Sequence, residues 1–369
     1  MESEVTVVYA DREPMPGVVL PGTHQLYRNP RLAIEKRTLN LLHSDDIRVQ
    51  MCYAGICGTD LHIAEKNPET GYVRCSAPAH IPKEGRILGH EGIGKIIAKG
   101  ADVLHVDIGD YVCFESIIVC HHCDRCRSGR FNQCRHARLL GLEKDGLFGT
   151  VVDVPGRVAH KVTTAIRHED DVKALACVEP AGVAYVACQN AHVSAGDTVV
   201  VFGAGPIGLF CALLSLTVFG ASRVSIVEPV PFRRQVAAKY SDHVYSLQEF
   251  FSSPPSDIDV VIEASGNLEN VSSIFRNLNA NGRVVLLARS GSQLMLNAID
   301  HMITNQITIV GSRGHLGGAF NDILNLYRNG RIQLDAVITE VIHGNAELVS
   351  TLRENEKVLH DNCKVLVGF

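Results

Sequence analysis

The segment Asp197-Thr-Val-Val-Val-Phe202-Gly203-Ala-Gly205-Pro206-Ile207-Gly208 restricts the fold more than any other in this chain of 369 residues. A continuous apolar run ends in G-x-G-x-x-G and passes into a charge-poor stretch from Pro206 to Ala221. That pattern predicts a buried strand turning tightly into a helix. Gly203 permits the turn, Gly205 lets the backbone approach a pyrophosphate, and Gly208 lets helix lie close on strand. The helix start, with Pro206 and Ile207 in its first turn, offers unpaired N–H groups and a positive dipole end to phosphate. A second strand, Arg223-Val-Ser-Ile-Val, leads to Glu228, twenty residues beyond Gly208. An acid there can bind the adenosine ribose hydroxyls, and it repels a 2′-phosphate, so NAD is favoured. Arg233 and Arg234 follow closely; turned inward they would admit NADP, and turned away they cap the next helix. Further strands are predicted over Asp257–Glu263 and Gly282–Leu287, and strands alternating with helices imply a parallel sheet.

The rest of the chain has a different texture. From Ile47 to about Val162, short β-like runs such as Ile47-Arg-Val-Gln-Met-Cys and Tyr111-Val-Cys-Phe are punctuated by glycine. They predict an all-β, barrel-like body carrying long loops. Mixed character returns after about Phe320, and the chain ends in Lys364-Val-Leu-Val. A chain of this length divides into more than one core. With 46% hydrophobic and 20% charged residues it is globular, and its net charge of −5 leaves no basic stripe for nucleic acid. No apolar run reaches the roughly 18–20 residues of a membrane span. The N-terminal segment lacks the basic and apolar regions of a signal peptide, so a cytoplasmic protein is expected.

Cysteine and histidine supply the chemistry. Cys120, Cys123, Cys126 and Cys134 form C-x2-C-x2-C-x7-C. Four thiolates so close can complete a tetrahedron around Zn²⁺ and leave no open position, as a structural site requires. His121 and His122 lie between them but are not needed as ligands. Upstream, Cys57 in Ile-Cys-Gly-Thr-Asp and His90 in Gly-His-Glu-Gly-Ile-Gly come from distant segments. That pair leaves a coordination position free, as catalysis requires. The remaining cysteines show no ligand spacing and read as reduced, mostly small core residues.

These residues, with Val-Glu179-Pro-Ala-Gly and the glycine-rich turn, occur in an order that resembles the zinc-dependent medium-chain dehydrogenases. The resemblance covers nearly the whole chain and is nearer the polyol (sorbitol-like), threonine and glucose dehydrogenase branches than the simple alcohol dehydrogenases. It implies an α/β plus β fold, in which a GroES-like catalytic domain is interrupted by a Rossmann domain built on a doubly wound parallel sheet. The corresponding division is 1–185, 186–320 and a return over 321–369.

By position, the resemblance makes Cys57 and His90 ligands of a catalytic zinc. Glu91 and Glu179 occupy the positions of the remaining carboxylate ligands; either can be the ligand with the other in support, and Cys177 is an alternative donor. Asp60 would fix the tautomer of His90. Thr59 corresponds to the hydroxyl beside the reacting oxygen, and His62 to the outer end of a proton relay or to a cleft-side histidine. Ser312 and Arg313, in Gly311-Ser-Arg-Gly, correspond to a segment passing the nicotinamide and diphosphate.

The implied activity is oxidation of a secondary alcohol, of a polyol, sugar or cyclitol, with hydride passing to NAD. Zn²⁺ is expected twice, once catalytic and once structural. Threonine-type amino-alcohol dehydrogenation and simple alcohol or formaldehyde dehydrogenation are the alternatives. A non-catalytic, crystallin-like relative would be expected to lose Cys57, His90 or Thr59, and all three are present. A homodimer or homotetramer through the Rossmann sheet edge is implied. Two stretches look expanded, Pro21 to Arg31 and Ala64 to Gly85. The second must leave and re-enter the zinc site, so it is expected to wall the substrate with polar residues.

Overall fold

The computed structural model describes the whole chain, Met1–Phe369, and builds it on two principal sheets joined along an apolar seam. One sheet is six-stranded and entirely parallel. Across it the strands run His243–Tyr245, Arg223–Val227, Thr198–Phe202, Ile258–Glu263, Leu278–Leu286 and Thr308–Gly311. The chain therefore starts mid-sheet, builds outward to one edge, then returns to build the other half. That reversal opens a crevice at the carboxyl ends of Thr198–Phe202 and Ile258–Glu263, the place where such sheets take ligands. Every residue of Thr198–Phe202 is buried, which is why it reads as an unbroken apolar run rather than an alternating one.

The four strands expected from the sequence are present in this sheet. Its two edge strands, His243–Tyr245 and Thr308–Gly311, were not apparent, because three or four residues carry too little periodicity to register.

The second sheet is seven-stranded and mostly antiparallel. Its order is Ala159–Lys161, Tyr111–Phe114, Gly92–Lys99, Asp46–Gly55, Lys364–Gly368 and Ile338–His343, with Val151–Pro155 also paired to Asp46–Gly55. The strand Lys364–Gly368 thus lies directly against Asp46–Gly55, so the body begun before the parallel sheet is completed after it. A smaller sheet of Tyr27–Thr38, Glu2–Arg12 and Arg86–Ile87 flanks it.

One apolar cluster unites the two bodies. Ile93 and Cys113 of the antiparallel sheet pack in it with Val199 and Leu209 of the parallel one and with Phe320. Helices Val178–Asn190 and Ala319–Arg328 lie in this seam, and the expected divisions at 185/186 and 320/321 fall inside them. No helix is long and apolar enough to cross a membrane.

The expanded segments correct one expectation. Between Ala64 and Gly85 the residues Tyr72, Val73, Cys75, Ala77 and Ile81 are buried, so much of this stretch is core rather than polar wall. The N-terminal expansion holds it in place. Thr23 Oγ1 donates to Ala77 O at 2.6 Å and accepts from Ala79 N at 3.1 Å, while Tyr27 Oη accepts from Ile81 N at 3.2 Å.

Candidate active site

Helix Gly58–Ala64 begins immediately after Cys57 because Asp60 caps it: Asp60 Oδ2 accepts from Cys57 N at 3.0 Å. The same carboxylate, wholly buried, accepts from Gly89 N at 3.2 Å through Oδ1, which also lies 3.5 Å from His90 Nδ1. One side chain therefore ties together the two distant segments that carry Cys57 and His90. With Nδ1 facing Asp60, Nε2 is the histidine nitrogen left for a metal. Gly89 is required at its position, with φ +87° and Phe148 Cδ1 only 2.4 Å from where a Cβ would sit.

Donor atoms of Cys57, His90 and Glu91 lie within 4.8 Å of one another. Gly55 makes room for the glutamate, since a Cβ there would come 2.8 Å from Glu91 Cδ. Glu91 Oε1 accepts from Lys364 Nζ, which also donates to Ile56 O at 3.1 Å. Glu91 Oε2 is buried without any partner. A sulfur, an imidazole nitrogen and an orphaned carboxylate oxygen converging on one point form a donor set that fits Zn²⁺ with a position open. Burial would discharge Lys364, but the Glu91 carboxylate outweighs it and holds the ammonium above the ordinary lysine range.

Glu179 lies outside this group of three. Its Oε1 accepts from Ser116 Oγ at 2.9 Å and lies 3.3 Å from His315 Nε2. Ser116 and His315 are buried as well, and His315 Nε2 is 2.9 Å from Ser116 Oγ. Burial alone would raise the Glu179 carboxyl, but His315, His90 and the Ser116 hydroxyl bring it down to about 2. Neither Ser116, His315 nor Lys364 was singled out from sequence. A signal existed for Lys364, a lone charge in the apolar strand Cys-Lys-Val-Leu-Val. Cys177 is fully buried and is not part of the donor group.

Thr59 and His62 are three apart on the capped helix and so share a face. Both are partly exposed, and neither side chain hydrogen-bonds within the chain. Burial holds His62 below the usual histidine value, so it is neutral near pH 7 and able to accept a proton.

The four-cysteine lobe is built around the turn Asp124–Arg127, capped by Cys123. Its sulfur atoms lie within 4.8 Å of one another, with Cys134 3.6 Å from Cys120 and 4.0 Å from Cys123. A tetrahedron of thiolates around zinc has S···S edges of about 3.8 Å, so the lobe fits that ion. No disulfide forms, and the amides of Cys120, Cys126 and His136 donate to these sulfurs. His121 and His122 turn outward, packing on Phe131 and His136.

At the glycine-rich turn, Gly203 has φ +98° and Gly205 precedes helix Pro206–Thr217, with Pro206 in its first turn and Ile207 next. A Cβ on Gly208 would sit 2.0 Å from Gly203 O. Glu228 is buried at the end of the neighbouring strand, where Oε2 accepts from Ala204 N at 2.7 Å and Oε1 from Val230 N at 2.9 Å. The acid expected to meet a ribose thus also braces the turn that would hold the phosphates. Arg233 Nε donates instead to Asn362 O, and Arg234 to the carbonyls of Glu228 and Pro229, so both are engaged by main chain. Ser312 Oγ accepts from Asn190 Nδ2 at 2.9 Å beyond the last parallel strand.

Residues 43–164 match the family described as the alcohol dehydrogenase GroES-like domain. The chain is 30% identical over 308 residues to an L-threonine 3-dehydrogenase of Pyrococcus abyssi, covering 81% of this chain and 84% of that one. It is 29% identical over 326 residues to a chain of Arthroderma otae named for D-xylulose reductase A, covering 85% and 88%. Among solved structures, one of Thermotoga maritima named for alcohol dehydrogenase superposes with a TM-score of 0.86 at 25% identity, covering 100% of both chains.

Proposed function

Because the chain belongs to the zinc-dependent medium-chain alcohol and polyol dehydrogenases, we propose that it interconverts a secondary alcohol of a polyol, sugar or cyclitol and its ketone, using NAD. The observation that carries this reading is the convergence of Cys57, His90 and Glu91 next to the helix presenting Thr59 and His62. In this proposal Cys57, His90 and Glu91 hold the catalytic zinc. Glu179, pinned by Ser116 and His315, supports the site from beside it. Cys120, Cys123, Cys126 and Cys134 hold the structural zinc.

Zinc would supply Lewis acidity that lowers the pKa of a substrate hydroxyl, and the nicotinamide would supply the hydride acceptor. The side chains do the rest. Thr59 Oγ takes the hydroxyl proton and passes it to neutral His62, half-buried on the same face of the helix. Asp60 holds the imidazole of His90 in one tautomer. Lys364 neutralises Glu91 so that its second oxygen stays directed at the site. Gly203, Gly205, Pro206, Ile207 and Gly208 cradle the diphosphate, and Glu228 meets the ribose. Its carboxylate disfavours NADP, and the inward arginine that NADP would need is absent, since Arg233 and Arg234 are bound to main-chain carbonyls.

The division into a catalytic body over 1–185 and 321–369 and a nucleotide body over 186–320 follows the same reading, with helices crossing both borders. The free edge strand Thr308–Gly311, beside exposed Met295, Ile299 and Ile303, supports a homodimer or homotetramer through that edge. We place the protein in the cytoplasm, in keeping with its twelve unpaired cysteines.

The test is NAD- and NADP-coupled oxidation of polyols, sugars, cyclitols, threonine and simple alcohols, with zinc content measured on the same samples. A polyhydroxy substrate turned over with NAD, and a Cys57→Ser variant that keeps one zinc and loses the rate, are expected. Turnover of threonine alone would move the chain to the amino-alcohol reading that its Pyrococcus relative favours.

A further inference from the structure

Glu179 is held by two residues, and each stands next in the chain to a residue of the cysteine-lobe core. Ser116 precedes Ile117, and His315 precedes Leu316. Ile117 and Leu316 are buried in one cluster with Cys123, Cys126 and Cys134. Ser116 N donates to His315 Nε2 at 3.1 Å, so main chain as well as side chain orients the imidazole. Gly182, three residues beyond Glu179 on the same helix, makes room for that ring, since a Cβ would come 3.1 Å from His315 Cβ. The placement of Glu179 is felt at the donor group. Burial raises the Glu91 carboxyl, and the Glu179 charge adds to that rise against Lys364.

One side chain fastens the lobe to this arrangement. Asn132 lies in the turn Phe131–Gln133, two residues before Cys134. It grips the main chain of Leu316 twice: Oδ1 accepts from Leu316 N at 3.1 Å, and Nδ2 donates to Leu316 O at 3.4 Å. Gly314 is wedged against the same side chain. Its φ is +74°, and a Cβ there would meet both Asn132 Oδ1 and Ile117 Cδ1 at 2.5 Å. The residues on either side of His315 are thus set against the lobe, and the lobe carries the imidazole to Glu179. Holding zinc does not call for this. The four thiolates complete a tetrahedron by themselves, and the segment Asn132 grips, 184 positions away, contributes no sulfur.

We propose that the four-cysteine lobe positions the reaction centre. Asn132, by gripping Leu316, sets where His315 and Ser116 hold Glu179 beside the donors Cys57, His90 and Glu91. This rests on the hydroxyl-oxidising function proposed above and gives the lobe a task beyond its own folding. Asn132 is a positioning residue that acts through Leu316 and His315.

The test compares the wild type with Asn132→Ala, His315→Ala and the double variant, each shown to carry two zincs per chain. Co²⁺ exchanged into the Cys57 side reports its ligand field through the visible bands. Hydrogen exchange reports the peptide containing Ser116 N, and kcat and KM are followed with NAD on the best alcohol of the panel above. In Asn132→Ala the cobalt bands should move and the Ser116 peptide should exchange faster. Its kcat should fall about ten- to a hundredfold, the loss that a misplacement of about 1 Å brings, with NADH affinity unchanged. The double variant should be no slower than His315→Ala, because residues acting as one unit do not lose rate additively. Asn132→Asp keeps the acceptor for Leu316 N and should recover part of the rate; it carries the comparison if Asn132→Ala loses the lobe zinc. Unmoved cobalt bands with ordinary Ser116 exchange, or losses that multiply in the double variant, would overturn the proposal. Cobalt bands and Ser116 exchange that shift in Asn132→Ala, in a protein that turns over no alcohol, would uphold the coupling while refuting the proposed reaction.

Discussion

Lys364 Nζ lies 2.5 Å from Glu91 Oε1, and the two side chains are only 2% and 1% exposed. The pair joins residues 273 positions apart and closes the candidate zinc site from behind. Removing one partner of such a pair leaves an uncompensated buried charge, at a cost of about 3–5 kcal/mol. Lys364→Met should accordingly lower the unfolding free energy by that order in urea titration and weaken retention of the Cys57-side zinc against a chelator. Lys364→Arg should recover part of both.

Gly208 should be intolerant of any side chain. Its Cβ would sit 2.0 Å from Gly203 O, so Gly208→Ala must push the helix away from the turn. We expect a loss of about 1–3 kcal/mol in stability, together with weaker NADH binding by fluorescence titration. Unchanged binding would mean that the turn does not cradle the cofactor.

Acid should destabilise the protein through Glu179. Its folded carboxyl is brought down to about 2, below the ordinary glutamate value of 4.5. The unfolded chain therefore binds the extra proton first as pH falls, and stability is lost between about 4.5 and 2. The contribution is present in full above that window and is of the order of 3 kcal/mol. Unfolding free energies across this range should slope less in Glu179→Gln than in the wild type; parallel slopes would remove Glu179 from the account.

Ile303, 70% exposed near the free edge strand, should matter only to assembly. Ile303→Lys is expected to shift light-scattering mass toward the monomer, with little change in thermal unfolding of the monomer itself. A wild-type protein already monomeric would rule out the edge as an interface.

The parts of the molecule legible in the sequence are those whose chemistry is local. The cysteine lobe lies within fifteen residues, and the turn from Phe202 to Gly208 announces strand, phosphate cradle and helix in one stretch. Cys57 and His90 were legible because each sits in a short glycine-flanked motif. What escaped was created by distant pairing. Ser116 and His315, 199 positions apart, carry no local pattern that predicts their meeting at Glu179. The expanded segment misled for another reason: its buried residues, from Tyr72 to Ile81, are spaced irregularly among polar ones and match neither a helical nor a strand period.

The strand Lys364–Gly368 pairs with Asp46–Gly55 only after the whole parallel sheet has been made. A ribosome-bound chain that has completed the nucleotide sheet through Gly311 still has Glu91 without its ammonium and the antiparallel sheet without its inner strand. Both bodies wait on the same segment: Leu366 packs in the apolar cluster shared with Val199 and Leu209, and Cys363 Sγ lies 3.6 Å from Ala204 O at the glycine-rich turn. The last residues made thus complete the zinc site and the nucleotide turn together.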